Sequence, residues 1–117
     1  MNNKPKYHLF KNTQYALDGL KHAVKTESSL RLELLSGVII LPAIYFISAS
    51  LEAKLLLLIT AFLVVIVELL NSAIENVVDL VTNDYAPLAK SAKDIGATAV
   101  MFSIGLHSIC WVVILFA

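Results

Sequence analysis

A stripe of carboxylate and amide side chains interrupts the second of three apolar segments. From Leu55 the chain is uncharged for 13 residues, and it then reads Glu68-Leu-Leu-Asn71-Ser72-Ala-Ile-Glu75-Asn76-Val-Val-Asp79. At about 100° per residue, one narrow face of a helix carries Glu68, Asn71, Ser72, Glu75 and Asp79. Each carboxylate costs about 2.5–3.5 kcal/mol at mid-bilayer, so such residues normally face a protein interior or a polar cavity and mark a function. The stripe fits a metal site or a proton site equally, and Asp79 alone also fits the wetted end of a long helix.

Further charged residues lie at the same predicted membrane level. Lys93 and Asp94 directly precede the third apolar segment, whereas Glu27, Arg31 and Glu33 precede the first. On its own Lys93 would be an ordinary basic anchor, and Glu27 and Arg31 have the i, i+4 spacing of a helical ion pair. Together with the stripe, these residues place several carboxylates and a lysine in one layer.

Such a layer suits phosphoryl transfer, which needs mainly positioning and charge compensation. Two or more carboxylates can bind Mg²⁺, which usually keeps waters and substrate phosphates as its other ligands. A lysine can neutralise the transferring phosphoryl group, and a further carboxylate can take the proton of an attacking hydroxyl. The four glycines, at positions 19, 37, 96 and 105, exclude a P-loop and a G-x-G-x-x-G motif. The three histidines lack metal-ligand spacing with Cys110, and His107 is predicted to be a packed polar residue.

The composition indicates that a membrane surrounds the elements that position this layer. Hydrophobic residues make up 58% of the 117 residues and charged residues 15%, with a mean hydropathy of +0.78. A typical soluble domain has about 45–50% hydrophobic residues and about 25% charged residues. Uncharged runs at 34–51, 55–67 and 95–117 predict three membrane-spanning helices. We therefore expect an all-α membrane protein, in one domain, with spans at about 29–49, 52–81 and 90–117 and a bend at Pro42. The net charge of zero lacks the basic excess of a nucleic-acid-binding protein.

The first 33 residues predict an amphipathic surface helix at about 7–26 rather than a signal peptide. Apolar and charged side chains between Phe10 and Lys25 fall on opposite sides of a helix; a helix packed on the protein's own spans is the alternative. Basic residues, including Lys4 and Lys6, cluster before the first span and between the second and third. By the positive-inside rule the N-terminus and the polar layer are cytoplasmic and the C-terminus is extracytoplasmic.

Three spans cannot surround this many polar groups without leaving some of them facing lipid. A stripe of small residues on the third span allows close helix contact: Ala92, Gly96, Ala99 and Ser103. We therefore expect a homo-oligomer with cyclic symmetry, in which neighbouring chains close the sites.

The spacing of the charged residues is long and fixed enough to point to a family. The pattern E-x-x-N-[ST]-A-x-E-x-x-x-D runs from Glu68 to Asp79, and Lys93-Asp94 follows fourteen residues later. This pattern, with the stretch from Glu27 to Glu33, closely resembles the bacterial integral-membrane diacylglycerol kinases, a family that includes undecaprenol kinases. The resemblance covers nearly the whole chain. It implies a homotrimer in the bacterial inner membrane that uses Mg²⁺ and ATP to phosphorylate a membrane lipid alcohol, giving phosphatidic acid from diacylglycerol.

The resemblance implies functional roles for the residues of this chain that match the family's functional positions. The implied catalytic residues are Glu68, as general base on the lipid hydroxyl, Asn71, and Lys93, which binds the γ-phosphate. Glu27 and Glu75 would hold Mg²⁺, and Asp79 would support these groups. The implied ATP-binding positions are His8, Tyr15, Glu27, Glu75, Asp84, Tyr85, Ala86, Lys93 and Asp94. The implied lipid-substrate positions are Lys21, Ser29, Leu30, Arg31, Leu32, Glu33, Glu68, Ala97 and Trp111.

Three positions depart from the family pattern. His8 stands where well-known members carry an arginine near the phosphates, Ala86 where they carry a histidine, and Ala97 where they carry a serine. A neutral histidine cannot replace a permanent guanidinium charge, so a different nucleotide affinity is expected.

Three other functions compete with a diacylglycerol kinase. An undecaprenol kinase would share the fold and the signature, although the segment Leu30-Arg31-Leu-Glu33 is more similar to the diacylglycerol branch. A small proton-coupled exporter would also use a membrane-embedded glutamate, but it would need neither the Lys93-Asp94 pair nor Glu27 in the same layer. A non-enzymatic assembly subunit would leave the carboxylate stripe unexplained.

Overall fold

The computed structural model describes residues 8–117, and within this range the chain is entirely helical. The four helices are α1 (Leu9–Thr26), α2 (Ser28–Phe46), α3 (Leu51–Val81) and α4 (Pro87–Phe116). The predicted all-α class is therefore confirmed. The predicted helix start at about residue 7 lies outside the described residues. So do Lys4 and Lys6, two of the basic residues on which the predicted membrane orientation depends.

Helices α2, α3 and α4 are each long and apolar enough to cross a membrane. Their most apolar windows have mean hydropathies of 1.6, 2.6 and 2.2, as the three uncharged runs predict. The 31 residues of α3 correspond to about 46 Å at 1.5 Å per residue, which exceeds the roughly 30 Å of hydrocarbon. Part of α3 must therefore extend beyond the apolar layer, and the polar stripe occupies its C-terminal half.

Local chemistry explains where the helices begin and end. The Ser50 hydroxyl caps α3 by accepting a hydrogen bond from the Ala53 backbone N–H at 3.1 Å. Pro87 lies in the first turn of α4, where its fixed φ and missing N–H suit a helix start, so α4 begins before the expected position of about 90. Pro42 lies inside α2, which continues through it and ends at Phe46, before the expected position of about 49. Between α2 and α3 the Lys54 ammonium donates to the Tyr45 carbonyl at 2.7 Å.

The helices pack in chain order, with α4 on α3, α3 on α2 and α2 on α1. The interior between them is unusually polar. The buried apolar residues are Ala23, Leu30, Ile44, Leu57 and Val64, and the buried polar ones are Thr60, Glu68, Asn71, Ser72, Ser103 and His107. Most large apolar side chains face outward instead, as expected where lipid is the solvent.

The small-residue stripe of α4 is used within the chain rather than between chains at two of its positions. Gly96 and Ser103 are buried, and Gly96 lies directly against the Asn71 side chain of α3. Ala99, by contrast, is exposed. Close approach of α3 and α4 in one chain therefore explains the buried part of the stripe without an oligomer.

Candidate functional site

The stripe on α3 faces the interior at its first positions and solvent at its last. Glu68, Asn71 and Ser72 are only 5%, 8% and 6% exposed, and Glu75 is half-buried. The Asp79 side chain is 51% exposed and lies at the end of the helix. Helical periodicity thus predicts the buried face correctly, and Asp79 has the wetted position that the alternative interpretation gave it.

Asn71 links the stripe to α4. Its Nδ2 donates to Glu75 Oε1 at 2.8 Å, which fixes the side-chain amide along the helix. Its Oδ1 is buried without a hydrogen-bond partner in the described part of the chain. A Cβ at Gly96 would lie 3.2 Å from Asn71 Cγ and would collide with Oδ1. Only glycine at position 96 therefore lets α4 approach Asn71 in this orientation.

Four carboxylates from three elements converge near the same level. Glu27 is the single non-helical residue between α1 and α2, with φ −111° and ψ 106°. Its negative charge and that of Glu75 both act on Glu68, and Glu68 in turn acts on Glu33 of α2. One Glu33 carboxylate oxygen, Oε1, is buried without a partner among the described residues. We call Glu27, Glu33, Glu68 and Glu75 the carboxylate layer.

The nearby lysines are held at the edge of this layer. Lys93 Nζ donates to Asp79 Oδ1 at 2.7 Å, joining α4 to the end of α3, and it also lies within the electrostatic reach of Glu75. Lys90 pairs with Asp94 at 2.5 Å within α4. The structure therefore brings Lys93 to the carboxylates, whereas Asp94 is engaged by Lys90.

Arg31 does not make the ion pair that its spacing from Glu27 allows. Its guanidinium Nη1 instead donates to the backbone carbonyls of Val24 and Lys25, at 2.8 and 3.0 Å. The last carbonyls of a helix lack helical partners, and a cation at this end also complements the helix dipole. Arg31 thus holds the C-terminal end of α1 against α2, and this contact leaves Glu27 without the predicted i, i+4 partner among the residues described.

The remaining predicted nucleotide positions lie at the surface. Tyr15 and Tyr85 are 56% and 80% exposed, and His8 immediately precedes α1. In the turn between α3 and α4 the Asp84 N–H donates to Thr82 Oγ1 at 3.1 Å, and Ala86 precedes the first residue of α4. No hydrogen bond in the described range joins these residues to the carboxylate layer.

The predicted lipid positions divide into exposed and buried residues. The exposed ones are Lys21, Ser29, Arg31, Leu32 and Ala97. Leu30 is completely buried, so it packs within this chain. A mainly apolar cavity of about 490 Å³ lies between α2, α3 and α4, with Glu33 at one end and His107 at the other. A second cleft of about 360 Å³, between α1 and α3, is lined by Glu27 and Ser72.

Two contacts in the membrane interior were not apparent from the sequence pattern. His107 hydrogen-bonds Thr60 Oγ1 at 2.7 Å, and Trp111 Nε1 donates to His107 Nε2 at 3.0 Å. His107 is therefore packed, as predicted. Its contact with Thr60 could not be predicted, because in the sequence Thr60 is only a single hydroxyl residue in an apolar run. The role of Gly96 was likewise hidden, because its partner Asn71 lies in a different helix.

The carboxylate layer is suited to share a divalent cation with a phosphate ligand. Within the described range no three His, Cys, Asp or Glu side chains are arranged to hold a metal ion by themselves. Mg²⁺ is usually bound through one or two carboxylates plus substrate phosphates rather than by an all-protein cage, so two neighbouring carboxylates can supply the protein donors it needs. Glu27 and Glu75 both lie within electrostatic reach of Glu68, and the negative charge that these carboxylates concentrate favours a cation there.

Fold and site together define a small all-α membrane protein with a carboxylate-rich polar site at one end of its spans. Residues 14–115 match the family described as prokaryotic diacylglycerol kinase. The chain belongs to this family, as its signature predicts. Its three apolar helices agree with an inner-membrane protein.

Proteins named diacylglycerol kinase from several bacteria are similar over almost the full length. The chain is 37% identical to the one from Haemophilus influenzae over 93% of this chain and 92% of the relative. It is 36% identical to that of Pseudomonas aeruginosa, over 88% and 84% of the two chains, and 40% identical to that of Helicobacter pylori (strain 26695), over 88% and 80%.

Proposed function

We propose that this protein is an ATP-dependent kinase that transfers the γ-phosphate of ATP to the free hydroxyl of diacylglycerol, giving phosphatidic acid and ADP. The observation that carries the proposal is the face of α3 with buried Glu68 and Asn71 and half-buried Glu75 in a chain of the prokaryotic diacylglycerol kinase family. A buried acidic residue in a membrane helix is costly, so a function at Glu68 accounts for its presence.

Glu68 acts as the general base in the proposed reaction. Its carboxylate accepts the proton of the lipid hydroxyl while the hydroxyl oxygen bonds to the γ-phosphorus and the bond from that phosphorus to the leaving oxygen of ADP breaks. Asn71 orients Glu75 through its 2.8 Å hydrogen bond. Burial of Glu68 keeps water away from the proton acceptor, which disfavours ATP hydrolysis.

In this proposal Glu27 and Glu75 would hold Mg²⁺ beside the bound ATP. The bound ion supplies neutralisation of phosphate charge. Lys93 adds a second positive charge near the γ-phosphate, after its ammonium exchanges Asp79 for a phosphate oxygen, and Asp79 keeps the lysine in place until then. Asp94 contributes to the nucleotide site.

The surface positions form the outer part of the nucleotide site. The proposed ATP contacts there are His8, Tyr15, Asp84, Tyr85 and Ala86. His8 precedes α1 and Tyr15 lies in its second turn, whereas the other three lie in the turn before α4, the helix that carries Lys93. Without a guanidinium at position 8, less phosphate charge is compensated than in family members that carry an arginine there.

The acyl chains of the lipid occupy the apolar cavity between α2, α3 and α4 in this proposal. The cavity of about 490 Å³ begins at Glu33, beside Glu68, and is otherwise lined mainly by aliphatic residues, which suits hydrocarbon chains. Lys21, Ser29, Arg31, Leu32, Ala97 and Trp111 provide the remaining lipid contacts.

The proposed assembly is a homotrimer in the bacterial inner membrane, with the N-terminus and the carboxylate layer cytoplasmic and the C-terminus extracytoplasmic. The basic residues before α2 and between α3 and α4 support this orientation. Helix α1 lies on the cytoplasmic membrane surface, where ATP is available to the site.

Labelled ATP tests the activity directly. Purified protein in detergent micelles with Mg²⁺ is supplied separately with diacylglycerol and undecaprenol, and we expect strong labelling of diacylglycerol. Glu68→Gln removes the base and should lower kcat by at least about 10²-fold with little change in Mg-ATP binding. Glu52→Gln changes an exposed acid at the opposite end of the same helix and should retain full activity.

Each alternative gives a different result in this assay. Labelling of undecaprenol but not diacylglycerol would replace the proposed acceptor with a polyprenyl alcohol. Absence of lipid-dependent ATP consumption, together with cation transport that Glu68→Gln abolishes, would identify an exporter. Near-normal turnover of Glu68→Gln would exclude this residue as the base.

A further inference from the structure

A chain of hydrogen bonds crosses from α4 to α3 deep in the spans, away from the carboxylate layer. Trp111 Nε1 donates to His107 Nε2 at 3.0 Å, and His107 Nδ1 lies 2.7 Å from Thr60 Oγ1. The Thr60 hydroxyl is in turn 2.8 Å from the Leu56 carbonyl. His107 and Thr60 are both buried, at 8% and 6% exposure.

The partners determine which nitrogen of His107 carries the proton. An indole N–H can only donate, so His107 Nε2 must accept and bear no hydrogen. The single proton of the neutral imidazole therefore lies on Nδ1 and is donated to Thr60 Oγ1. The Thr60 hydroxyl then gives its own proton to the Leu56 carbonyl, so every bond runs in the same direction from Trp111 to α3, an arrangement in which hydrogen bonds reinforce one another.

This chain of bonds closes one end of the apolar cavity. His107 lines the cavity at the end opposite Glu33. With both ring nitrogens engaged, the imidazole offers only C–H edges to whatever fills the cavity. Thr60 precedes Glu68 by eight residues on α3, which places the His107 level about 12 Å along the helix from Glu68.

We propose that His107 is a positioning residue that fixes the Trp111 indole one helical turn beyond the end of the lipid cavity and so makes the enzyme selective for acyl chains long enough to reach it. This rests on the proposed lipid kinase function. An extended chain advances about 1.2 Å per bond, so six-carbon chains that start near Glu68 end at about 7 Å, short of His107. Chains of eighteen carbons pass that level and are long enough to reach the Trp111 indole, which lies four residues, or about 6 Å, further along α4.

Two amide substitutions separate the roles of the two ring nitrogens. In His107→Gln the side-chain carbonyl reaches the position of Nε2 and can still accept from Trp111, whereas in His107→Asn the shorter amide reaches Thr60 but not Trp111. Polarity is matched between the two variants. Because Trp111 is the only tryptophan, its fluorescence reports the indole directly: we expect an emission maximum near that of the wild type in His107→Gln and a shifted one in His107→Asn.

Kinetics with two diacylglycerols test the effect on the lipid. For dioleoylglycerol we expect His107→Asn to raise KM about fivefold, the value of one neutral hydrogen bond, and His107→Gln to change it little. For dihexanoylglycerol and for Mg-ATP both variants should keep the wild-type KM. In a Trp111→Phe background His107→Asn should cause no further rise, since it acts through the indole.

Specific results would overturn the proposal. These are equal emission and equal dioleoylglycerol KM in the Asn and Gln variants, an equal rise for the short-chain lipid, or imidazole nitrogen NMR signals that place the proton on Nε2. The fluorescence and NMR measurements need no phosphoryl transfer, so they test the hydrogen bonds of His107 even in a protein without kinase activity. Absence of kinase activity would contradict the proposed function instead.

Discussion

Among single residues, the contrast between Glu68 and Glu75 assigns them different tasks. Glu68 is almost fully buried, as a proton acceptor shielded from water requires. Glu75 lies about two turns further toward the end of α3, half-buried and already oriented by Asn71. A carboxylate that is both oriented and partly open can hold a cation on an incoming nucleotide, whereas Glu68 lies within reach of Glu33, which lines the apolar cavity.

Glu75→Gln tests this division because it removes the charge and keeps the hydrogen bond. A glutamine carbonyl can still accept from Asn71 Nδ2, so the local geometry is retained while one negative metal ligand is lost. We expect the Mg²⁺ concentration for half-maximal activity to rise about tenfold, the factor that corresponds to 1.4 kcal/mol of lost electrostatic attraction. A Mg²⁺ titration of initial rates measures this, with Glu52→Gln as the matched control; an unchanged titration contradicts the assignment.

The sequence predicts residue positions well where a single helix determines them. The 100° spacing correctly predicts the shared face of Glu68, Asn71 and Glu75. It cannot predict that Arg31 binds the carbonyls of Val24 and Lys25, because those acceptors become available only when α1 ends and turns into α2. The i, i+4 rule describes a continuous helix, and Glu27 breaks the helix at that point.

At the scale of helices, the contact of α3 with α4 depends on the absence of one side chain. Gly96 allows Asn71 to lie against the α4 backbone, and Asn71 in turn orients Glu75. The lengths of the spans can be predicted from the uncharged runs. The helix that packs against the small-residue face of α4 cannot be predicted in this way. From the sequence we expect that face to contact a neighbouring chain, whereas Gly96 and Ser103 are already buried within one chain.

Gly96→Ala should therefore lower activity even though alanine favours helices. The substitution gains up to about 1 kcal/mol of helix propensity, but the added methyl group must displace the Asn71 amide. We expect kcat to fall about tenfold, a loss in the range that mispositioned catalytic groups cause. Gly105→Ala, on the same helix with nothing within 4 Å of its new methyl group, is the control and should be fully active. Equal activity of the two variants would contradict the role of the Gly96–Asn71 contact.

The whole molecule has its polar groups inside and its apolar groups outside. Large apolar side chains along α2, α3 and α4 are exposed, while six polar or charged side chains of α3 and α4 are buried among the described residues. The described shape is elongated, 53 × 39 × 24 Å, and three helices leave the carboxylate layer partly open. Lipid or neighbouring chains must cover these surfaces in the membrane, and the proposed trimer supplies such neighbours.

Mixed oligomers test whether the catalytic carboxylates of one site belong to one chain. Glu27 and Glu75 both act on Glu68 within a single chain. At a low Mg²⁺ concentration, where Glu75→Gln subunits turn over slowly, we therefore expect that exchange with Glu68→Gln subunits gives no activity above that of the Glu75→Gln subunits alone. For wild-type subunits diluted with Glu68→Gln subunits, activity should fall in proportion to the wild-type fraction, because each site fails only with its own chain. Subunit exchange is verified by cross-linking of differently tagged chains. Recovery of activity in the first mixture would mean that the two glutamates of one site come from neighbouring chains. A fall steeper than proportional in the second would mean that an inactive site also inhibits its neighbours, so that the sites are not independent.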